Sequence, residues 1–162
     1  MRMRIFAISL TISWLLWPGE MKEWPTHTIC KTKDFEAYYK SCDPLQDVGV
    51  SLIPCSTNLA KNMMAKIGVI LRQDANVVNT NTKIYFNGAY LFHEEKPLCE
   101  KTAPKFSFCG KKKGELVLYN HSVRFGSSIL PKGEYFIFLE LLNENNYKVA
   151  CANFTVYSHR LD

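Results

Sequence analysis

The sequence carries little excess charge of either sign: 20 Lys and Arg stand against 15 Asp and Glu, a net +5 over 162 residues. So small and scattered an excess argues against a nucleic-acid-binding module, whose basic residues cluster on one face. No internal repeat, linker or low-complexity tract divides the chain, which is the length of one domain. No Cys-x-x-Cys pair occurs, and His27, His93, His121 and His159 have no partner at ligand spacing. A metal centre is therefore not expected. A Gly-rich phosphate loop and a His-Glu-x-x-His helix are also missing. Gly126-Ser127-Ser128 falls short of the Gly-x-Ser-x-Gly elbow and lacks its strand-turn-helix setting. With no nucleophile–base pair in view, an extracellular lipid hydrolase is the weakest functional reading, and no cofactor is implied.

What is present begins at the N-terminus. Met1-Arg2-Met3-Arg4 is basic, residues 5–17 are apolar apart from Ser9, Thr11 and Ser13, and Pro18-Gly19-Glu20 breaks the run. A basic start, a short apolar core and a helix-breaking end describe a secretory signal peptide, expected over residues 1–19. The run is too short for a membrane-spanning helix, and no later run is longer. A domain over residues 20–162 would remain, with 18 basic and 15 acidic residues. It is expected to be secreted and soluble.

Export gives the cysteines their meaning. Cys30, Cys42, Cys55, Cys99, Cys109 and Cys151 all follow the leader, and an even number in an oxidising compartment reads as three disulfides. Fifteen pairings are open to them. Two acceptor sequons, at Asn120 (Asn120-His121-Ser122) and Asn153 (Asn153-Phe154-Thr155), agree with the secretory route and mark glycosylation sites.

Apolar periodicity in the remaining chain is mostly two. Val48, Val50 and Leu52 alternate with Gly49 and Ser51. Ala65, Ile67, Val69 and Leu71 alternate with Lys66, Gly68, Ile70 and Arg72. Tyr135, Ile137, Leu139 and Leu141 share one face of a strand, and Ala150, Ala152, Phe154 and Val156 one face of the last. Asn87-Gly88, Lys113-Gly114, Pro131-Lys132-Gly133 and Asn145-Asn146 supply turns between them. Residues 57–66 hold the one helix candidate, with caps but no sustained apolar stripe, so a turn or two is expected there. Short strands with frequent turns predict an all-β, antiparallel β-sandwich. Glu94-Glu95, beside Lys96-Pro97, reads as an exposed loop whose carboxylates point apart. Lys111-Lys112-Lys113 reads first as a solvated turn and second as a rim for an anionic headgroup.

The cysteine neighbourhoods carry a resemblance. Ser41-Cys42-Asp43-Pro44-Leu45-Gln46-Asp47, Pro104-Lys105-Phe106-Ser107-Phe108-Cys109-Gly110 and Lys113-Gly114-Glu115 resemble the ML (lipid-recognition) family. Trp24-Pro25-Thr26-His27, Gly133-Glu134-Tyr135 and Val149-Ala150-Cys151-Ala152-Asn153 extend the match over residues 24–157. The resemblance implies an immunoglobulin-like sandwich with a hydrophobic cavity between two sheets, stapled by Cys30–Cys55, Cys42–Cys151 and Cys99–Cys109. It further implies a lipid or phospholipid ligand and a leucine-rich-repeat ectodomain as partner, that of a toll-like-receptor homologue, the radioprotective receptor of B cells. The protein would be held at the cell surface through that receptor and would modulate the innate, inflammatory response to lipopolysaccharide. A homodimer of the free protein is a further option.

Inward parity then names the residues expected to line the cavity: Val48, Val50, Leu52, Ile67, Val69, Val78, Ile84, Val117, Phe125, Tyr135, Ile137, Leu139, Phe154 and Val156, with Phe108 beside its cysteine. Thr80 and Thr82 stand where the family tends to have large apolar residues, and residues 76–87 are rich in Asn and Thr, which implies a more polar wall. The competing reading is a structural escort, needed for receptor folding and display, with no functional lipid ligand.

Overall fold

The computed structural model describes residues 23–55, 63–123 and 130–159. The expected signal peptide, Phe125, Gly126-Ser127-Ser128 and residues 57–62 of the expected helix lie outside them. Among the described residues the regular structure is entirely β: β1 (His27–Lys31), β2 (Phe35–Ser41), β3 (Gly49–Ile53), β4 (Met63–Ile70), β5 (Val78–Phe86), β6 (Ala89–Glu100), β7 (Ala103–Pro104), β8 (Leu116–Val123), β9 (Gly133–Asn143) and β10 (Lys148–Ser158).

All pairings are antiparallel and build two sheets. One runs β1-β2-β10-β9-β5-β6-β7 and the other β3-β4-β8. The alternating patterns require this layering: β2 buries Phe35, Ala37, Tyr39 and Ser41 and turns the residues between them outward. A strand buried on one face needs a second layer to cover it. Tyr39, Val48, Val69, Leu71, Ala75, Val78, Cys99, Val117, Val149 and Ala152 form the buried cluster between the sheets. The result is an immunoglobulin-like sandwich.

The turns are where the sequence put them. Asn87 and Gly88 both take positive φ, 47° and 79°, as a two-residue hairpin between β5 and β6 demands. At the β9–β10 turn the buried Asn143 side chain accepts the N–H groups of Asn145 and Tyr147, both at 3.0 Å.

Three disulfides close the structure: Cys30–Cys55, Cys42–Cys151 and Cys99–Cys109, spanning 25, 109 and 10 positions. This is the pairing implied by the family resemblance, chosen out of the fifteen that the sequence alone leaves open. Cys42–Cys151 ties the end of β2 to β10 across almost the whole chain.

Two expectations are corrected. Residues 63–66 are strand, not helix. The two-residue period of Ile67 and Val69 extends back through Ala65 to Met63, which is 1% exposed, and β4 pairs on both sides, with β3 and β8. Glu94 and Glu95 are also strand, in register with Thr82 and Asn81 of β5. Their charges sit comfortably there because this part of β6 is mostly exposed and supplies partners: Lys96 pairs with Glu94, and His93 lies 3.4 Å from Glu95.

Candidate functional site

A partly enclosed, apolar cavity of about 260 Å³ lies between the two sheets. Ile67 and Val69 of β4 and Val117, Tyr119 and His121 of β8 form the wall on the small sheet. Facing them from the large sheet are Val78 and Thr80 of β5, Leu98 of β6, Leu139 and Leu141 of β9, and Val149 and Ala150 of β10. Leu71, just past β4, and Phe106 and Phe108, from the segment before β8, complete the lining. The aromatic rings support one another: Phe106 stacks on Phe108 at 5.4 Å, and Tyr119 meets both edge-on at 5.8 and 5.2 Å.

Of the residues expected from the sequence, Ile67, Val69, Val78, Phe108, Val117 and Leu139 line this cavity. Val48 is buried in the adjoining core, against which Val50 and Phe154 pack. Val156 packs instead on a second cluster formed by Cys30, Phe35 and Ala37. Leu52, Ile84, Tyr135 and Ile137 are half-buried and stand apart from the lining.

The residues that were missed divide by cause. Leu71, Leu141, Tyr119 and His121 continue the inward parity of residues already named, so the signal for them was present. Ala150 shares the face already read for Phe154 and Val156, whereas Val149 joins it because a bulge at Lys148–Ala150 breaks alternation. Leu98 belongs to β6, whose strand was not read from the sequence, and Phe106 is brought in by the Cys99–Cys109 loop, which parity does not describe.

Chemically the wall offers contact area and few polar groups. Thr80, Tyr119 and His121 are the lining side chains that carry a hydrogen-bonding atom. The Thr80 hydroxyl is already engaged: it donates to the Lys96 carbonyl at 3.1 Å and accepts the Lys96 N–H at 3.2 Å. Among the described residues no group of three or more His, Cys, Asp or Glu could hold a metal ion. The cavity is partly open to solvent, and its wall is almost wholly apolar, so a guest that covers the wall gains about 25 cal/mol for each Å² of apolar surface it removes from water.

The basic run adjoins the cavity as a folded turn. Lys111 lies 3.1 Å from Glu115, Lys112 lies 3.2 Å from Asp74, and the Lys113 N–H donates to Asp74 at 2.9 Å. The backbone N–H of Lys112, then the Lys111 ammonium, hold the Glu115 carboxyl below the usual carboxylate range. The Lys113 N–H, then the Lys112 ammonium, do the same for Asp74. Two of the three ammonium groups are thus engaged within the protein, which fits the solvated-turn reading over the headgroup rim.

Two other hollows lie away from the sheet interface. One of about 480 Å³, more open, is lined by Lys83, Tyr85, Gly88, Phe136 and Phe138. The other, of about 320 Å³, takes in Trp24, Lys40, Ser41 and Asn153. Both have a larger volume, but the first is too open to enclose much of a ligand's surface and the second is lined largely by polar and charged groups, whereas enclosure by apolar walls is what marks a binding site. The sequon residue Asn120 is exposed on β8, whereas Asn153 on β10 is half-buried, with an Oδ1 that has no hydrogen-bond partner. No helix among the described residues is long and apolar enough to cross a membrane.

A sandwich opened around an apolar cavity and closed by three disulfides is the architecture of one family of lipid-recognition domains. The family model described as the ML domain matches residues 36–158, and the chain belongs to that family. It is 44% identical over 140 residues to lymphocyte antigen 86 of Mus musculus, covering 86% of each chain. It is 39% identical over 159 residues to lymphocyte antigen 86 of Homo sapiens, covering 95% of this chain and 98% of the relative. Among solved structures, chicken MD-1 complexed with lipid IVa superposes with a TM-score of 0.77 at 38% identity, over 85% of this chain and all of that one.

Proposed function

We propose that this chain is a secreted, lipid-binding accessory subunit of a leucine-rich-repeat receptor of the toll-like class. In this reading residues 1–19 direct export and the domain that follows carries a lipid or phospholipid between its sheets. It works at the cell surface in complex with the ectodomain of a toll-like-receptor homologue such as the radioprotective receptor of B cells, and there tunes the innate response to lipopolysaccharide. It catalyses no reaction.

The observation that carries the proposal is the cavity: almost wholly apolar, partly enclosed, and bounded by disulfide-held strands. A stable interior has no use for such a gap unless something fills it, because the lining side chains forgo contacts on their open side. The similarity to chicken MD-1, whose structure holds lipid IVa, supports a lipid as the guest. Each methylene it buries contributes about 0.8 kcal/mol.

Protein secreted from eukaryotic cells, purified without detergent and extracted with organic solvent, tests this directly. Mass spectrometry of the extract should find lipid in roughly stoichiometric amount. An extract free of lipid, together with undiminished co-secretion of the receptor ectodomain, would favour the escort reading instead.

A further inference from the structure

The lining of the cavity is graded along β8. Val117 is 5% exposed, Tyr119 is half-buried and His121 is exposed, so the strand climbs from the floor of the cavity to its mouth. Across the strand pair, Val117 faces Val69, Tyr119 faces Ile67 and His121 faces Ala65.

At the mouth the two polar rings form one unit. Tyr119 and His121 stack at 5.9 Å with 17° between their planes, and the Tyr119 oxygen lies 3.2 Å from His121 Nδ1. Among the described residues that line the cavity they are the only titratable side chains. Among the described residues nothing charged faces them from the surrounding lining: β4 presents Ala65 and Ile67, the segment before β8 presents Phe106 and Phe108, and the large sheet presents Thr80, Leu98, Leu139 and Leu141. With the Thr80 hydroxyl engaged by Lys96, this pair is what remains to meet the polar end of a guest.

The pair offers a donor in every protonation state. If the neutral imidazole carries its proton on Nε2, the Tyr119 hydroxyl donates to Nδ1 and Nε2–H is free to donate outward. If Nδ1 carries the proton, it donates to the tyrosine oxygen and frees the Tyr119 O–H. In the imidazolium both donors are free at once and a positive charge is added.

We propose that Tyr119 and His121 form the polar pole of the cavity and select amphiphiles whose chain ends in an acceptor-only, anionic group, a phosphate or carboxylate. The inference rests on the lipid-binding reading above and adds to it a preference among lipids. A charge-assisted hydrogen bond at this site corresponds to roughly tenfold to a hundredfold in affinity.

The test uses the whole protein freed of lipid by extraction, titrated calorimetrically at pH 7.5 with lysophosphatidic acid and with the monoacylglycerol of the same chain. The wild type should bind lysophosphatidic acid at least about tenfold more tightly. His121→Phe, which keeps the Asn120 sequon, should bind the monoacylglycerol as before and lose the preference. Tyr119→Phe, with the ring packing retained, should lose part of the preference; comparable thermal midpoints would show that both variants fold. If the ratio of the two affinities is the same in wild type and His121→Phe, the polar pole is wrong while the lipid-binding reading stands. If neither lipid binds the wild type, both fall together. Inorganic phosphate added as a competitor should not displace lysophosphatidic acid; displacement at equal concentration would mean an anion site independent of the chain and would also overturn the proposal.

Discussion

The ring of Phe86 occupies the space that a side chain on Gly133 would need. A Cβ built on Gly133 would stand 2.4 Å from Phe86 Cε2 and 2.8 Å from Asn87 Oδ1, and the backbone there has φ of +151°. Around this close approach the β5–β6 hairpin is clamped to the start of β9. Asn87 N–H donates to the Glu134 carbonyl at 2.8 Å, and Glu134 N–H donates to Asn87 Oδ1 at 2.9 Å.

Gly133→Ala should therefore destabilise the protein by about 2–3 kcal/mol, from overpacking and an unfavourable φ. The denaturation midpoint in urea checks this. Phe86→Leu in the same chain should recover part of the loss, since it withdraws the ring; strictly additive effects would show that the contact is not the cause.

Much of this arrangement was legible in the sequence, for a simple reason. Where a strand is buried on one face, alternation names its inward residues. Ile67, Val69, Val117 and Leu139 were found in that way and do line the cavity. Parity cannot say how far along a strand the cavity runs. Ile84 and Ile137, registered with each other on β5 and β9, therefore look the same in sequence as Leu139 yet lie beyond it. Nor does it survive a bulge, which is why Val149 was missed beside Ala150. Phe106 reaches the cavity through a disulfide loop, a long-range constraint with no local period. In residues 63–66 and at Glu94-Glu95, local composition pointed away from strand, and tertiary pairing decided otherwise.

The disulfides should contribute unequally. In the chain-entropy account, Cys42–Cys151, with 109 positions between its cysteines, contributes about 4–5 kcal/mol, and Cys99–Cys109, with 10, about 3 kcal/mol. Replacing both cysteines of each pair by alanine and comparing urea midpoints tests the order. The shorter cross-link carries a second expectation, because it holds Leu98 and Phe106 at the cavity. Its loss should weaken lipid retention more than its stability cost suggests, whereas equal lipid content in the two variants would detach that loop from binding.

Acid should loosen the Lys111–Glu115 turn before it unfolds the sandwich. Asp74 and Glu115 are held below their ordinary values by N–H groups and ammonium groups of the turn. A lowered carboxylate stabilises the fold above its unfolded value, and the contribution disappears as pH falls through the folded one. Amide exchange at Lys112 and Lys113, corrected for intrinsic rates, should keep its protection through the ordinary carboxylate range and lose it only in stronger acid. Asp74→Asn with Glu115→Gln should abolish that step. Protection unchanged from pH 6 to pH 2.5 in the wild type would contradict the assignment.

Filling the cavity separates the lipid-bearing function from a purely structural one. Ile67 lines it from β4, half-buried and opposite Tyr119, so a larger ring at that position enters space that already exists. Ile67→Trp should leave the stability of lipid-free protein within about 1 kcal/mol or raise it, since cavity-filling commonly stabilises. Val48→Trp, at a buried position outside the cavity lining, should instead cost about 1–3 kcal/mol through overpacking. Lipid recovered from secreted Ile67→Trp should fall several-fold relative to wild type. If co-secretion of the leucine-rich-repeat ectodomain falls with it, the lipid contributes to assembly. If co-secretion persists at the wild-type level while lipid is lost, the partner is held by the protein surface alone, and the cavity serves the ligand response instead.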